Sequence, residues 1–479
     1  MRISELEPTS VFGYFEELTK IPRGSGDMEK VSSYCVEFAK KHGLFCVRDE
    51  HNNVIIKKPA SKGYEQKEPI ILQGHLDMVC QKDAGVDIDF LKDGMDAFVD
   101  GDYISARGTT LGADNGIAVA MVLSILADNS ISHPPIEAVF TTDEEIGMIG
   151  ASGLSMEHLS GKRMINLDSE DPSVVTVSCA GGSDFKIRVP LAFQTVQKSG
   201  ITISIKGLLG GHSGVEINKG RVNANLLLGR VLNHLRKSIS FDIIGLNGGD
   251  KGNAIPNSAE AFIAAEDVGA VKKELSAYSE ILSKELSSRE PSFSLEFEKI
   301  AGDTFEVISD ENKETLISML VCAPSGVLTM SAEIENLVET SLNLGVLKME
   351  RREVTLLFAL RSNKESALLA LSENLTAFSK LFPCTYEAGG FYPPWEYNEN
   401  SKLQVLYQEK YKEKFGVTPE TYAIHAGLEC GVFASKIKGF DCISVGPEMH
   451  DIHTTNERLS ISSSKALYEL ILEILKHLK

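Results

Sequence analysis

Along the first 184 residues, short apolar runs rich in β-branched side chains alternate with stretches whose apolar positions recur every three or four residues. The helical spacing predicts helices over 10–19 and 28–42, with Asp27 placed to cap the second and Gly43 to follow its end. Strands are predicted at 54–56, 70–72, the run leading to residue 144, and 164–167, with an apolar, alanine-containing helix over 116–127. Such alternation predicts an α/β unit, a mainly parallel sheet flanked by helices, in which ligands gather beyond the carboxyl ends of the strands. Near Gly181-Gly182 the pattern changes to alternating runs such as 201–205 and 294–297, with helices at 222–236 and 367–381. After Pro393-Pro394-Trp395 the first pattern returns, with a helix over 401–415, a strand at 442–445 and a closing helix at 463–478. The expected organisation is one domain built from 1–184 and 396–479, interrupted by an α+β domain of two similar halves at 185–395.

Composition narrows the partners. The 48 basic and 67 acidic residues leave a formal charge of -19, which opposes nucleic acid and anionic membranes and favours small molecules or metal cations. The eight cysteines (35, 46, 80, 179, 322, 384, 430, 442) form no Cys-x-x-Cys pair and fit small core residues of a reduced compartment. No basic start precedes an apolar core at the N-terminus and no run of about 18 apolar residues occurs, so a cytoplasmic protein is expected.

Candidate chemistry sits where the predicted strands end. Val139-Phe140-Thr141-Thr142 stops abruptly at Asp143-Glu144-Glu145, and adjacent glutamates at a buried strand end call for a positive charge. His75 and Asp77 follow the 70–72 run, Asp114 opens the apolar helix, Asp168 follows 164–167, and His453 lies beyond Val445-Gly446-Pro447. Each alone has an ordinary explanation: a helix cap for Asp114, a turn acid for Asp168, a core histidine for His453. Together they make an N/O donor set suited to zinc, manganese or cobalt, because so much buried negative charge is severely destabilising without cations.

Gly74-His75-Leu76-Asp77, Gly112-Ala113-Asp114-Asn115-Gly116, Asp143-Glu144-Glu145-Ile146-Gly147 and His453-Thr454-Thr455-Asn456-Glu457 resemble, in order, the motifs of the co-catalytic metallopeptidases that include carnosinases and acetylornithine deacetylases. That resemblance implies two divalent ions per chain, zinc first with cobalt or manganese as alternatives. It implies His75 and Asp168 on one ion, Glu145 and His453 on the other, and Asp114 between them. Glu144 would be the general acid/base acting on a water of lowered pKa, with Asp77 fixing the His75 tautomer. The inserted domain would act as a lid, His212 in Gly210-Gly211-His212-Ser213-Gly214 stabilising the oxyanion, and, at about twice the simple length, its halves would let His212 serve its own chain. Arg361 is a candidate clasp for a substrate carboxylate and equally reads as a surface strand end; Asn253 and Glu429 are further substrate-binding candidates, Glu429 toward an amino group. The implied activity is hydrolysis of free dipeptides, Xaa-His and carnosine included, by a monomer or homodimer. An N-acyl amino acid deacylase or a tripeptidase of the same fold is the alternative, and a non-catalytic receptor a more distant one.

Overall fold

The computed structural model describes residues 2–478. The chain divides into two compact units, one formed by residues 1–179, 395–423 and 428–479, the other by 180–394 and 424–427. The first boundary therefore falls five residues, and the second one residue, before those read from the sequence, and a four-residue return at 424–427 joins the second unit.

The first unit is built on an eight-stranded sheet. Its order is Phe45–Arg48, Val54–Lys58, Ile136–Thr141, Ile70–His75, Arg163–Asn166, Asp441–Ser444, Val174–Cys179 and Glu420–Ile424. The parallel part is the centre, where Ile136–Thr141, Ile70–His75, Arg163–Asn166 and Asp441–Ser444 run side by side; pairings toward Phe45–Arg48 and onto Val174–Cys179 are antiparallel. Ile70–His75 and Ile136–Thr141 are buried along their whole length, as strands covered on both faces must be. Helix Ala113–Ala127 is buried on nearly every side, and Thr9–Thr19 covers the core with Val11, Phe12, Phe15 and Leu18 at helical spacing. The second helix is Glu29–Lys41. Its N-cap is Met28 and no side chain bonds the cap, so Asp27 does not play the capping part expected of it; Gly43, at φ 64°, does follow the helix end.

The second unit holds two copies of one motif. Ser199–Lys206, helix Ala224–Leu235, Asp242–Gly248, Ala259–Ala265, helix Val268–Leu286 and Ser294–Ile300 form a βαββαβ half. The other half takes Gly181–Pro190 as its first strand, then helix Asp310–Cys322, Val338–Glu350, Glu353–Ser362, helix Glu365–Ser379 and Thr385–Tyr392. Counted within each half, both have the spatial strand order 4-1-3-2, and they join edge to edge where Asn247 and Gly248 pair with Lys348 and Leu347. The first half is thus inserted between the first strand and first helix of the second, on a ribbon of Phe193–Gln197 paired with Thr304–Ile308. The two equivalent helices approach at Gly229, where a Cβ would run into Leu320. One apolar core spans both halves, with Phe358 fully buried in it. Phe358→Ala is expected to cost about 3–5 kcal/mol by urea unfolding, because the cavity left in a close-packed core collapses only in part.

All eight cysteines are free thiols. Among the described residues, no helix is long and apolar enough to cross a membrane.

Candidate functional site

The four parallel strands deliver their last residues to one edge of the first unit. His75 ends Ile70–His75, Glu144 and Glu145 follow Ile136–Thr141, and Asp168 follows Arg163–Asn166. His453 comes from the turn between the short strands Met449–His450 and Arg458–Ser460, in the left-handed region at φ 62°. Asp114 stands at the start of Ala113–Ala127, where its ψ of 106° takes it out of helical geometry; the helix N-cap is Gly112 rather than Asp114.

Asp114 divides its two oxygens between two sets of partners. Oδ1 lies 3.1 Å from His75 Nε2, which is also 3.4 Å from Asp168 Oδ1. Oδ2 lies 3.1 Å from His453 Nε2, itself 2.9 Å from Glu145 Oε1. His75, Asp114 and Asp168 offer ligand atoms within 4.8 Å of one another, and so do Asp114, Glu145 and His453. The structure thus brings together all five residues proposed as ligands, in two groups that share one carboxylate.

The charge balance of these groups asks for cations. Burial alone would lower the proton affinity of His75, yet Asp168, Asp114 and Asp77 outweigh it and raise it well above the ordinary value. Hydrogen bonds to Asp114 and Glu145 push His453 up to about 10. Burial raises Asp168 and Glu144, Asp114 adding to the first and Asp168, Glu429 and Glu145 to the second. Imidazole and carboxylate donors without sulfur fit zinc, cobalt or manganese.

Supporting contacts surround this set. Asp77, fully buried, places Oδ1 3.3 Å from His75 Nδ1, the ring nitrogen opposite the ligand atom. The same carboxylate accepts the amides of Glu144 at 3.1 Å and Glu145 at 3.2 Å and the Ser25 hydroxyl at 2.8 Å. Asn115 accepts the His75 amide at 3.2 Å and donates to the Leu167 carbonyl at 2.8 Å, and a Cβ on Gly74 would strike its side chain, so this approach requires glycine. Glu429 departs from expectation. It has no exposed surface, Gln73 at 2.6 Å and Thr141 at 2.7 Å donate to its Oε2, which braces the strand ends, and its Oε1 has no partner.

In the second unit, His212 and Ala254 are paired in a two-residue ribbon, and the adjacent Asn253, exposed, accepts the Ser213 amide through its carbonyl at 2.9 Å. The amides of Gly214 and Val215 point at His212 Nδ1 from 3.1 and 3.2 Å, which makes Nδ1 the acceptor and leaves the ring proton on Nε2. Burial, with help from Arg361, lowers the proton affinity of this ring. Arg361 is buried, its Nη1 donates to the Tyr392 hydroxyl at 2.9 Å, and its Nε has no partner. It is therefore no surface strand end. His425 bonds Ser341 at 2.7 Å and Asn363 at 3.2 Å, and burial beside Arg361 and His212 pushes it down to about 3.

Residues 71–477 match peptidase family M20/M25/M40. The chain belongs to that family. It is 38% identical to the cytosol non-specific dipeptidase of Escherichia coli (strain K12) over 485 residues, covering 99% of both chains. The crystal structure of aminoacylhistidine dipeptidase from Vibrio alginolyticus superposes with a TM-score of 0.91 at 35% identity, covering 100% of this chain and 98% of that one. A tripeptidase from Staphylococcus aureus shares the fold, with a TM-score of 0.56 at 17% identity. The chain is accordingly a hydrolase of the M20 peptidase family.

Within the first unit of this M20 chain, buried polar residues near the ligands escape a sequence reading: Arg23, Asn115 and the role of Glu457; His425, buried in the second unit, escapes it as well. Asn115 and Glu457 lie inside motifs already conspicuous. Arg23 and His425 carry no such signal, because arginine and histidine are ordinarily read as partly exposed.

Proposed function

We propose that this M20 peptidase is a metal-dependent dipeptidase of broad specificity, acting on free dipeptides that include Xaa-His and β-alanyl-histidine. The observation that carries this reading is the division of Asp114 between His75/Asp168 and Glu145/His453, with Glu144 adjacent but outside the pairings. The full-length likeness to a protein named as a non-specific dipeptidase supports the substrate class. His75, Asp114, Asp168, Glu145 and His453 would hold two divalent ions, zinc first with cobalt or manganese also accommodated, which when bound would supply Lewis-acid charge.

The chain's own residues then have distinct tasks. Glu144 takes a proton from the attacking water and returns it to the leaving amine. Asp77 fixes the His75 ring. His212, neutral with its proton on Nε2, donates a hydrogen bond to the oxygen that becomes negative. Arg361 grips the terminal carboxylate, with the Tyr392 hydroxyl orienting its guanidinium and Asn253 contributing from the ribbon. His212→Ala is expected to lower kcat by about 10²–10³-fold with little change in KM, since the bond it makes strengthens only as charge develops. Steady-state kinetics on one dipeptide measure this.

Assays on dipeptides, tripeptides and N-acyl amino acids, run after chelation and again after metal restoration, test the proposal as a whole. Metal-restored cleavage confined to free dipeptides is the expected result. Preferential cleavage of tripeptides or N-acyl amino acids would replace it with the corresponding sister activity.

A further inference from the structure

Behind the ligands, two side chains of opposite charge are buried on either side of one short turn, residues 111–114. Glu457, 2% exposed, accepts the amides of Leu111 at 2.7 Å and Gly112 at 3.0 Å on Oε2, and those of Ala113 at 2.7 Å and Asp114 at 3.4 Å on Oε1. Successive main-chain amides converging on one carboxylate form an anion-binding nest. Arg23, also 2% exposed, sits on the carbonyl side of the same turn and donates through Nη2 to the Gly112 oxygen. Its Nη1 donates to the carbonyls of Leu76 at 3.0 Å and Asp77 at 3.1 Å. Glycine makes the room: Gly112 has φ 73°, and a Cβ there would lie 2.5 Å from Arg23 Nη2, while one on Gly116 would lie 2.6 Å from it.

Removing both charges from water is unfavourable, and neither side chain belongs to the two ligand groups. Their placement supplies the reason. Glu457 lies four residues beyond His453 and holds the turn that carries Asp114. Arg23 ties that same turn to the two residues directly after His75. We propose that Arg23 and Glu457 form a positioning frame that fixes Asp114 relative to His75 and His453, and that the affinity for both metal ions depends on it. Because Asp114 serves both groups, loosening the turn weakens both together. The inference rests on the reading of these residues as a metal centre.

Competition titration of zinc against a chromophoric chelator, on metal-free protein, tests it with Glu457→Gln, Arg23→Lys and Gly116→Ala. Glutamine sets an N–H donor against main-chain donors, and lysine lacks the fork that spans two segments. Gly116→Ala displaces the guanidinium while leaving both charges in place. The expected result is zinc affinity lowered by about 10- to 100-fold in each variant, with two ions still bound at saturation. The urea midpoint in excess chelator reports fold stability alone, so a purely structural role would shift that midpoint and leave the affinity unchanged. Wild-type affinity in folded variants overturns the frame. Absence of zinc uptake by the wild-type protein overturns the metal centre itself.

Discussion

Glu144→Gln is expected to retain both metal ions and to lose turnover by a factor of about 10²–10⁴, the range that a positioned proton-transfer group supplies. Glu144 stands beside Glu145, yet the geometry separates them: Glu145 Oε1 is 2.9 Å from His453 Nε2, whereas Glu144 is absent from the His75/Asp114/Asp168 and Asp114/Glu145/His453 groups. Its carboxyl can also join His75 and Glu145 in a third grouping, so metal content must be measured alongside rate. Burial, reinforced by Asp168, Glu429 and Glu145, raises its proton affinity well above the ordinary glutamate value, the direction wanted in a group that must accept a proton and release it. Elemental analysis and kcat on a free dipeptide decide the matter. Near-normal turnover would remove Glu144 from the mechanism, and loss of one ion would make it a ligand.

Asp114→Asn is expected to have the largest effect. Asparagine keeps the shape, so the hydrogen bonds of the 111–114 turn survive, but the one negative charge common to both groups is gone. Both ions should be lost on dialysis, and activity should fall by more than about a thousandfold, as metal-ion stabilisation is worth several kcal/mol and each 1.36 kcal/mol is tenfold. Glu145→Gln, by contrast, leaves the His75/Asp114/Asp168 group intact and should leave one ion in place. Metal-to-protein ratios after dialysis distinguish the two variants, and equal retention in both would mean that Asp114 is not shared.

Much of this was legible in the sequence because the site is a product of local patterning. Predominantly apolar runs that lead to His75, Glu144 and Asp168 identify buried strands by composition and their ends by the change in polarity. Parallel pairing then forces those ends to one edge. The antiparallel flanks of the sheet were not legible, since the alternation of strand and helix says nothing about the direction of Phe45–Arg48 at one edge or of Val174–Cys179 one strand in from the other. Asp27 was misread because an acid just before a helix is only a candidate cap, and the main chain turned one residue later. Glu429 was placed toward a substrate by its neighbourhood in sequence; its contacts with Gln73 and Thr141 arise from chain crossings hundreds of residues apart. Arg23 was invisible for the same reason, each of its partners lying more than 50 residues away.

The nested arrangement of the second unit bears on how such a chain could lengthen. The inserted half leaves and re-enters through adjacent, paired segments, Phe193–Gln197 and Thr304–Ile308. Its two ends are therefore neighbours in space, and splicing it into a pre-existing smaller module would impose little additional loop-closure entropy. Growth at that point leaves the order of the 353–362, 181–190 and 385–392 strands uninterrupted.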